Sequence, residues 1–329
     1  MNKLPSSKHV SVEASRSSAR MDEQISEAAW LYYHDHLNQN EIAERMQLSR
    51  ATVANYLSEA RLRQWVKVYL DSEVFLGHDL SAELCSAYGL QAALIVPSPA
   101  GTERIDSRVA LAAADWLPRL LSSGDRLGVS WGETVYRMVQ QVPRQVIDDL
   151  TVVQLLGSRP AALGFAAETC TTLLAQQLGA DCVNLHVPLL LSDHELVHRL
   201  KMEPVVAKQL RAATTFNKTV LACGTCDNNA HIVQSGLLSK TEIASLRAKG
   251  AVGVICGRLI DDQGEPVPSS IEDRMIGVSL DQMHSKMMSL LVAAGAGRAA
   301  PARAAIMGGY ATHLATSTSV AEQLLESAP

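Results

Sequence analysis

Between residues 25 and 65, apolar positions recur at helical spacing in three short groups separated by polar breaks. In ISEAAWLYYHDHL the apolar face is Ile25, Ala28, Ala29, Leu31, Tyr32 and Leu37, which predicts a first helix broken by Asn38. Ile42, Ala43 and Met46 predict a short second helix over 39–46, with Leu48 packing the turn behind it. Ser49 is a good N-cap for a third helix that buries Val53, Tyr56 and Leu57. The small Ala43 stands where two helices cross closely. This is the spacing of a helix-turn-helix, with Gln47 in the turn where Gly, which accepts left-handed backbone freely, is usual. A solvated polar face in a helical bundle is the competing reading.

From about residue 70 the pattern changes. Short apolar runs (AALIVPSP, DRLGVSW, TVVQLLGS, CVNLHVPLL, KTVLACGT, GAVGVICGRLI) alternate with helical stretches such as SRVALAAADWLPRLL, ETVYRMVQQV and GFAAETCTTLLAQQL. Buried strands separated by helices predict parallel strands joined by crossovers, a Rossmann-like layered α/β fold. HDLSAELCSAYGL, residues 78–90, reads as an amphipathic helix that joins the domains or mediates self-association. GGYATHLATSTSVAEQLLE closes the chain as turn, strand and helix, with the hydroxyls of Thr316 to Ser319 capping the last helix. The expected organisation is a disordered arm over 1–20, a helix-turn-helix domain over 21–70 and an α/β domain over 71–329.

Composition adjusts this picture in two places. Aromatic residues are only 4% of 329, so Ala and Leu carry the packing. The net charge of −5 excludes a chain coated in nucleic acid, but residues 1–67 hold nine Lys and Arg against eight Asp and Glu, and within 49–67 Arg50, Arg61, Arg63 and Lys67 face only Glu59. A locally basic helix on an acidic body suits a protein that touches DNA with one small part. No apolar run is long enough to span a bilayer, and the start has no signal-peptide core. With six scattered cysteines, the expectation is a cytoplasmic protein with reduced thiols.

For DNA the candidates are Ser49, Arg50, Thr52 and Asn55, at the start of the third helix and off its packed stripe, with Arg61, Arg63 and Lys67 as backbone attraction. In parallel sheets small ligands bind beyond the strand C-termini. Four loops there are rich in Gly and hydroxyls: SWGET (Ser130, Trp131, Gly132, Thr134), GSR (Gly157, Ser158, Arg159), CGTCDNN, and AGAGRAA with Arg298. Each alone reads equally as a tight turn, and none is a Walker or dinucleotide fingerprint. Cys223 and Cys226 form a lone CxxC without the second pair a zinc site needs. His34 and His36 read as solvated at a helix end. No cofactor or metal is expected.

The helix-turn-helix followed by GVSWGET, VVQLLGS, GAVGVICGRLIDDQGEPV, IGVSL and a Gly/Ala-rich loop leading to GGY resembles the SorC family of sugar-binding bacterial transcription regulators, over roughly residues 25–327. The resemblance implies an effector and oligomerisation domain similar to sugar-phosphate isomerases but without catalysis, a sugar or polyol effector, commonly phosphorylated, and a homo-oligomer, commonly a tetramer. It implies operator DNA as partner, no membrane, and effector loops at SWGET and GSR, with Gly224 and Thr225 at another rim. Asp261 in GRLIDDQG matches too, as an effector residue or as the brace of a turn. Two positions depart from the family pattern: Val254 where an acid is usual, and Arg298 where a Lys is usual. Arg keeps the charge and adds a fork that grips phosphate bidentately. The alternative is a sugar-phosphate isomerase or deaminase, for which Glu133, Asp227 and Asp261 are the available acids.

Overall fold

A computed structural model describes residues 7–63, 65–66, 71–98, 104–159 and 166–329. The chain forms two compact units, Met1–Tyr69 and Leu70–Pro329.

The small unit is three helices: α1 (Ser7–Tyr33), α2 (Gln39–Met46) and α3 (Arg50–Leu62). Ile25, Ala28, Leu31, Ile42, Val53, Leu57 and Ala60 make its core. Local chemistry fixes its turns. Asn38 Oδ1 accepts from the Asn40 and Glu41 amides while the Glu41 carboxylate accepts from Asn38 N at 2.7 Å, a reciprocal cap at the start of α2. Gln47 ends α2 in the left-handed region, φ 55° and ψ 43°, and Ser49 Oγ accepts from Thr52 N at 3.0 Å to open α3. Two expectations change. Residues 7–20 are helical rather than a disordered arm, because a helix already nucleated by a packed segment extends at little cost. At its other end α1 stops at Tyr33, where the chain turns through His36 at φ 59°, and Tyr32 is exposed rather than packed.

The large unit is built on β1 (Ala92–Val96), β2 (Arg126–Val129), β3 (Thr151–Gln154), β4 (Asp181–Val183), β5 (Lys218–Thr225), β6 (Gly253–Ile255), β7 (Arg258–Ile260), β8 (Pro266–Val267), β9 (Met288–Ala293) and β10 (His313–Ser317). Seven pair in parallel in the order β1-β10-β9-β5-β2-β3-β4. Its helices are α4 (Glu73–Leu76), α5 (Asp79–Tyr88), α6 (Ile105–Trp116), α7 (Glu133–Val139), α8 (Ala167–Leu178), α9 (His194–Met202), α10 (Pro204–Ala213), α11 (His231–Gln234), α12 (Lys240–Ala248), α13 (Ala299–Met307) and α14 (Thr318–Glu326).

The central strands β10, β9, β5 and β2 are buried on both faces, so alternate residues enter different cores. Val220, Leu290, Val292 and Ala315 pack with α6, α7 and α8, whereas Leu221, Leu291, Ala293 and Leu314 pack with α5, α12, α13 and α14. The run GAVGVICGRLI is not one parallel strand. β6 and β7 form an antiparallel hairpin whose central residues Cys256 and Gly257 both have positive φ, 49° and 75°, as a tight two-residue turn requires. β6 also pairs antiparallel with the last residues of β5, so the hairpin stands above the C-terminal edge of the sheet. Among the described residues no helix is long and apolar enough to cross a membrane.

Candidate functional site

The central order β9-β5-β2-β3 brings the loops after these four strands side by side. Those after β2, β5 and β9 meet at a cavity of about 280 Å³ lined by Ser130, Trp131, Gly132 and Thr134 after β2, Gly224 and Thr225 at the end of β5, and Arg298 after β9. The hairpin adds Val254, Cys256 and Gly257, and α11 adds His231. Seven of the eleven candidates for effector contact therefore line one space.

Three of those side chains are ready for a ligand. Ser130 is 1% exposed and its Oγ has no hydrogen-bond partner, which is a costly condition for a buried hydroxyl unless something in the cavity meets it. Arg298 gives one N–H to the Cys223 carbonyl at 2.7 Å, which orients the guanidinium and leaves its other donors to the cavity. Trp131 supplies an apolar face.

The four remaining candidates stand elsewhere. Gly157 serves packing: a Cβ there would lie 2.7 Å from Leu189 Cα and from the Pro188 carbonyl oxygen. Ser158 ties strand ends, its amide donating to the Val187 carbonyl and its carbonyl accepting from Leu189 N, both at 2.7 Å. Asp261 Oδ1 accepts from the amides of Gln263 and Glu265 at 2.9 Å each, so it braces the turn into β8. Arg159 does not line the cavity but lies over Trp131, which does, at 5.8 Å from the ring centroid.

The acids are engaged. Glu133 holds Arg137 through Nε at 3.0 Å and Nη2 at 2.5 Å, and Asp106 approaches the same Arg137 at 3.8 Å. Asp227 accepts from Thr225 Oγ1 at 2.5 Å and from Asn229 N at 2.7 Å, and the Thr225 bond above all holds its carboxyl below the ordinary range. A carboxylate so held is a weak base. Cys223 and Cys226 are free and buried, and burial pushes their thiols up to about 11 and about 12. Sequence reasoning missed His231, Gln234, Cys256 and Gly257 at the cavity wall.

On the small unit, Ser49, Arg50, Asn55 and Arg61 are exposed and Thr52 half-buried, away from the buried Val53, Leu57 and Ala60. Arg50 and Asn55 make no hydrogen bond or ion pair with the described residues, while Thr52 shares its hydroxyl with Ser49 at 2.8 Å. Arg61 leans back on the Leu57 carbonyl at 3.3 Å. Arg63 differs from expectation: it pairs with Asp22 at 2.6 Å and Glu59 at 2.7 Å, and so braces α3 on α1. Lys67 lies outside the described residues.

Residues 72–326 match the family described as "Putative sugar-binding domain". The chain is 32% identical over 319 residues to the uncharacterized transcriptional regulator YjhU of Escherichia coli K12, covering 95% of this chain and 97% of that protein. It is 31% identical to the deoxyribonucleoside regulator of Bacillus subtilis, covering 90% and 95%. The full-length sorbitol operon regulator SorC of Klebsiella pneumoniae shares the fold, with a TM-score of 0.73, 22% identity, and coverage of 92% of this chain and 98% of that one.

Proposed function

The chain belongs to the SorC family of transcription regulators with a sugar-binding domain, and from that premise we propose that α3 binds operator DNA under control of a phosphorylated sugar or polyol held in the cavity. It is a ligand-responsive regulator, not an enzyme, as its relatives are regulators. The observation that carries the effector assignment is the buried, unpartnered Ser130 hydroxyl facing the same space as Arg298. An oriented guanidinium beside a hydroxyl donor suits a phosphate, and Arg298 offers it a planar fork. Val254 makes part of the wall apolar, so the sugar hydroxyls find fewer acceptors than a carboxylate there would give.

At the other end of the chain, the N-terminal turn of α3 enters the major groove, with Arg50 and Asn55 free for base edges and Ser49 for a backbone phosphate. The chain works in the cytoplasm as a homo-oligomer, a dimer or tetramer that presents two such helices about 34 Å apart to a pseudo-palindromic site. The effector binds one arrangement of the oligomer more tightly and shifts the population toward it.

Fluorescence anisotropy with the DNA upstream of the chain's own gene, with and without a panel of phosphorylated and free sugars and polyols, tests this. Sequence-selective, salt-sensitive binding is expected, weakened about tenfold or more in Arg50→Ala or Asn55→Ala. A phosphate ester is expected to raise the melting temperature more than its free counterpart, and Arg298→Ala to erase that difference. No selective DNA binding under any ligand condition sinks the regulator reading, and equal thermal shifts for both forms sink the phosphate.

A further inference from the structure

His231 belongs to none of the motifs of the sequence, yet it stands amid the cavity's charge. It opens α11 just beyond β5 and lines the cavity with Ser130, Trp131 and Arg298. Its ring meets Trp131 edge to face at 4.9 Å, and the Arg159 guanidinium lies over that same Trp131. Arg159 Nη1 is shut off from solvent and has no acceptor.

The charges that act on His231 come from several elements: Arg159 beyond β3, Glu133 on α7 and Arg298 beyond β9. Asp106 of α6 shares the cavity wall, and Asp227, after β5, acts on Arg298. The Cys223 and Cys256 thiols, the remaining titratable groups of the wall, are kept protonated by burial. Glu133 and Asp106 are drawn to Arg137, and Asp227 to Thr225 and Asn229. Among the described residues neither Arg159 nor Arg298 forms an ion pair, and both guanidiniums act on His231 against Glu133 alone among these acids.

We propose that His231 is an effector-contacting residue, and that the group it contacts is the dianion of a phosphate ester shared with Arg298; this rests on the cavity being the effector site. Burial first, then Arg159, push the imidazole below its ordinary range; Glu133 pulls the other way and Arg298 adds a smaller push down, so the unliganded protein holds it neutral near pH 7. A dianion within hydrogen-bond reach offsets both guanidiniums and raises the imidazole again, so binding takes up a proton. A carboxylate offsets one positive charge and a neutral polyol none, so the three ligand classes differ in the protons they draw. The sign follows: affinity rises as pH falls from the imidazole's pKa in the complex toward its lower value in the free protein, and the His231 contribution levels off below that. The phosphate's own second ionisation, near about 6, works in the opposite direction. The contribution of His231 is therefore the difference between wild type and His231→Gln.

Isothermal titration of the full chain with inorganic phosphate and with a pentose 5-phosphate, in two buffers of different ionisation enthalpy at about pH 7, counts those protons. Wild type is expected to take up more protons than His231→Gln, which binds about tenfold more weakly for loss of a charge-assisted hydrogen bond. Should that variant fail to fold, imidazole NMR titration of the unaltered chain gives the second readout: one histidine pKa rises when phosphate is added. Equal proton counts, or no displaced histidine titration, while the phosphate still binds, overturn the role of His231 and leave the effector cavity standing. Binding of neutral sugars with no binding of either phosphate probe overturns the anionic reading beneath it as well.

Discussion

The two units solve the placement of functional groups in opposite ways. In the small unit the groups look outward, and the contacts that aim them lie within a few residues: Asn38 with Glu41, and Ser49 with Thr52. In the large unit they look inward, and the contacts that aim them join distant segments, as where Arg298 meets the Cys223 carbonyl 75 residues away. Local pattern specifies an outward face; topology specifies a cavity. The first can be altered by one cap, whereas the second depends on the whole sheet being in register.

The largest test of that contrast falls on Asp125, just before β2. It accepts from Lys218 Nζ at 2.6 Å, Ser122 N at 2.7 Å and Asn217 Nδ2 at 2.8 Å, and Lys218 also donates to the Leu120 carbonyl at 2.6 Å. Both members of the pair are buried. Asp125→Ala leaves the Lys218 ammonium without its counter-charge and is expected to cost about 3–5 kcal/mol in urea unfolding. Adding Lys218→Met should recover most of that loss. Burial pushes the Asp125 carboxyl up, but the Lys218 bond and the two neutral donors outweigh it and hold the group below its ordinary value. Its stabilisation is therefore complete above the unfolded-chain value and is lost as pH falls through the lower folded one. The acid limb of stability should be steeper in wild type than in the double variant. An Asp125→Ala loss under about 1 kcal/mol would break the claim that long-range contacts fix the large unit.

A smaller effect is expected at the centre of the small unit. Ile42 is 0% exposed between α1 and α3, and Ile42→Ala should cost about 3 kcal/mol. Hydrogen exchange reads this locally: amide protection in α2 and α3 falls about a hundredfold while β2 and β9 keep theirs. Equal loss in both units would mean that they unfold together, and the contrast would need to be redrawn.

What the sequence discloses divides along the same line. The bounds of α2, the Ser49 cap and the left-handed Gln47 are all local, and each is legible in the order of residues. So is the alternation of strand and helix. Strand order is not local, and the cavity wall suffers for it. Ser130 to Thr134, Gly224, Thr225 and Arg298 carry a loop signature at a strand end and could be named. His231 reaches Trp131 only because β5 lies beside β2, which no spacing announces. The hairpin turn at Cys256 and Gly257 is hidden inside a continuous apolar run. Gly157 shows the converse: a glycine required by the approach of Leu189 looks the same in sequence as one required by a ligand.

The smallest expected effect concerns how each unit ends its helices. In the large unit α5 and α8 end on Gly89 and Gly179, at φ 67° and 60°, where a residue without Cβ meets the left-handed backbone freely. The small unit ends α2 on Gln47 at φ 55°, still donating its amide to the Ala43 and Glu44 carbonyls. For a residue with Cβ this conformation costs about 1–2 kcal/mol, of which glycine's greater freedom in the unfolded chain takes back about 0.5–1. Gln47→Gly should therefore stabilise the small unit by about 0.5–1 kcal/mol, read as slower hydrogen exchange in α2, with operator affinity unchanged. Gln47 is exposed and lies in the turn that leads into α3. A gain in stability with a loss of operator affinity would show that its side chain reaches the DNA, and would move the reading face one turn earlier than α3.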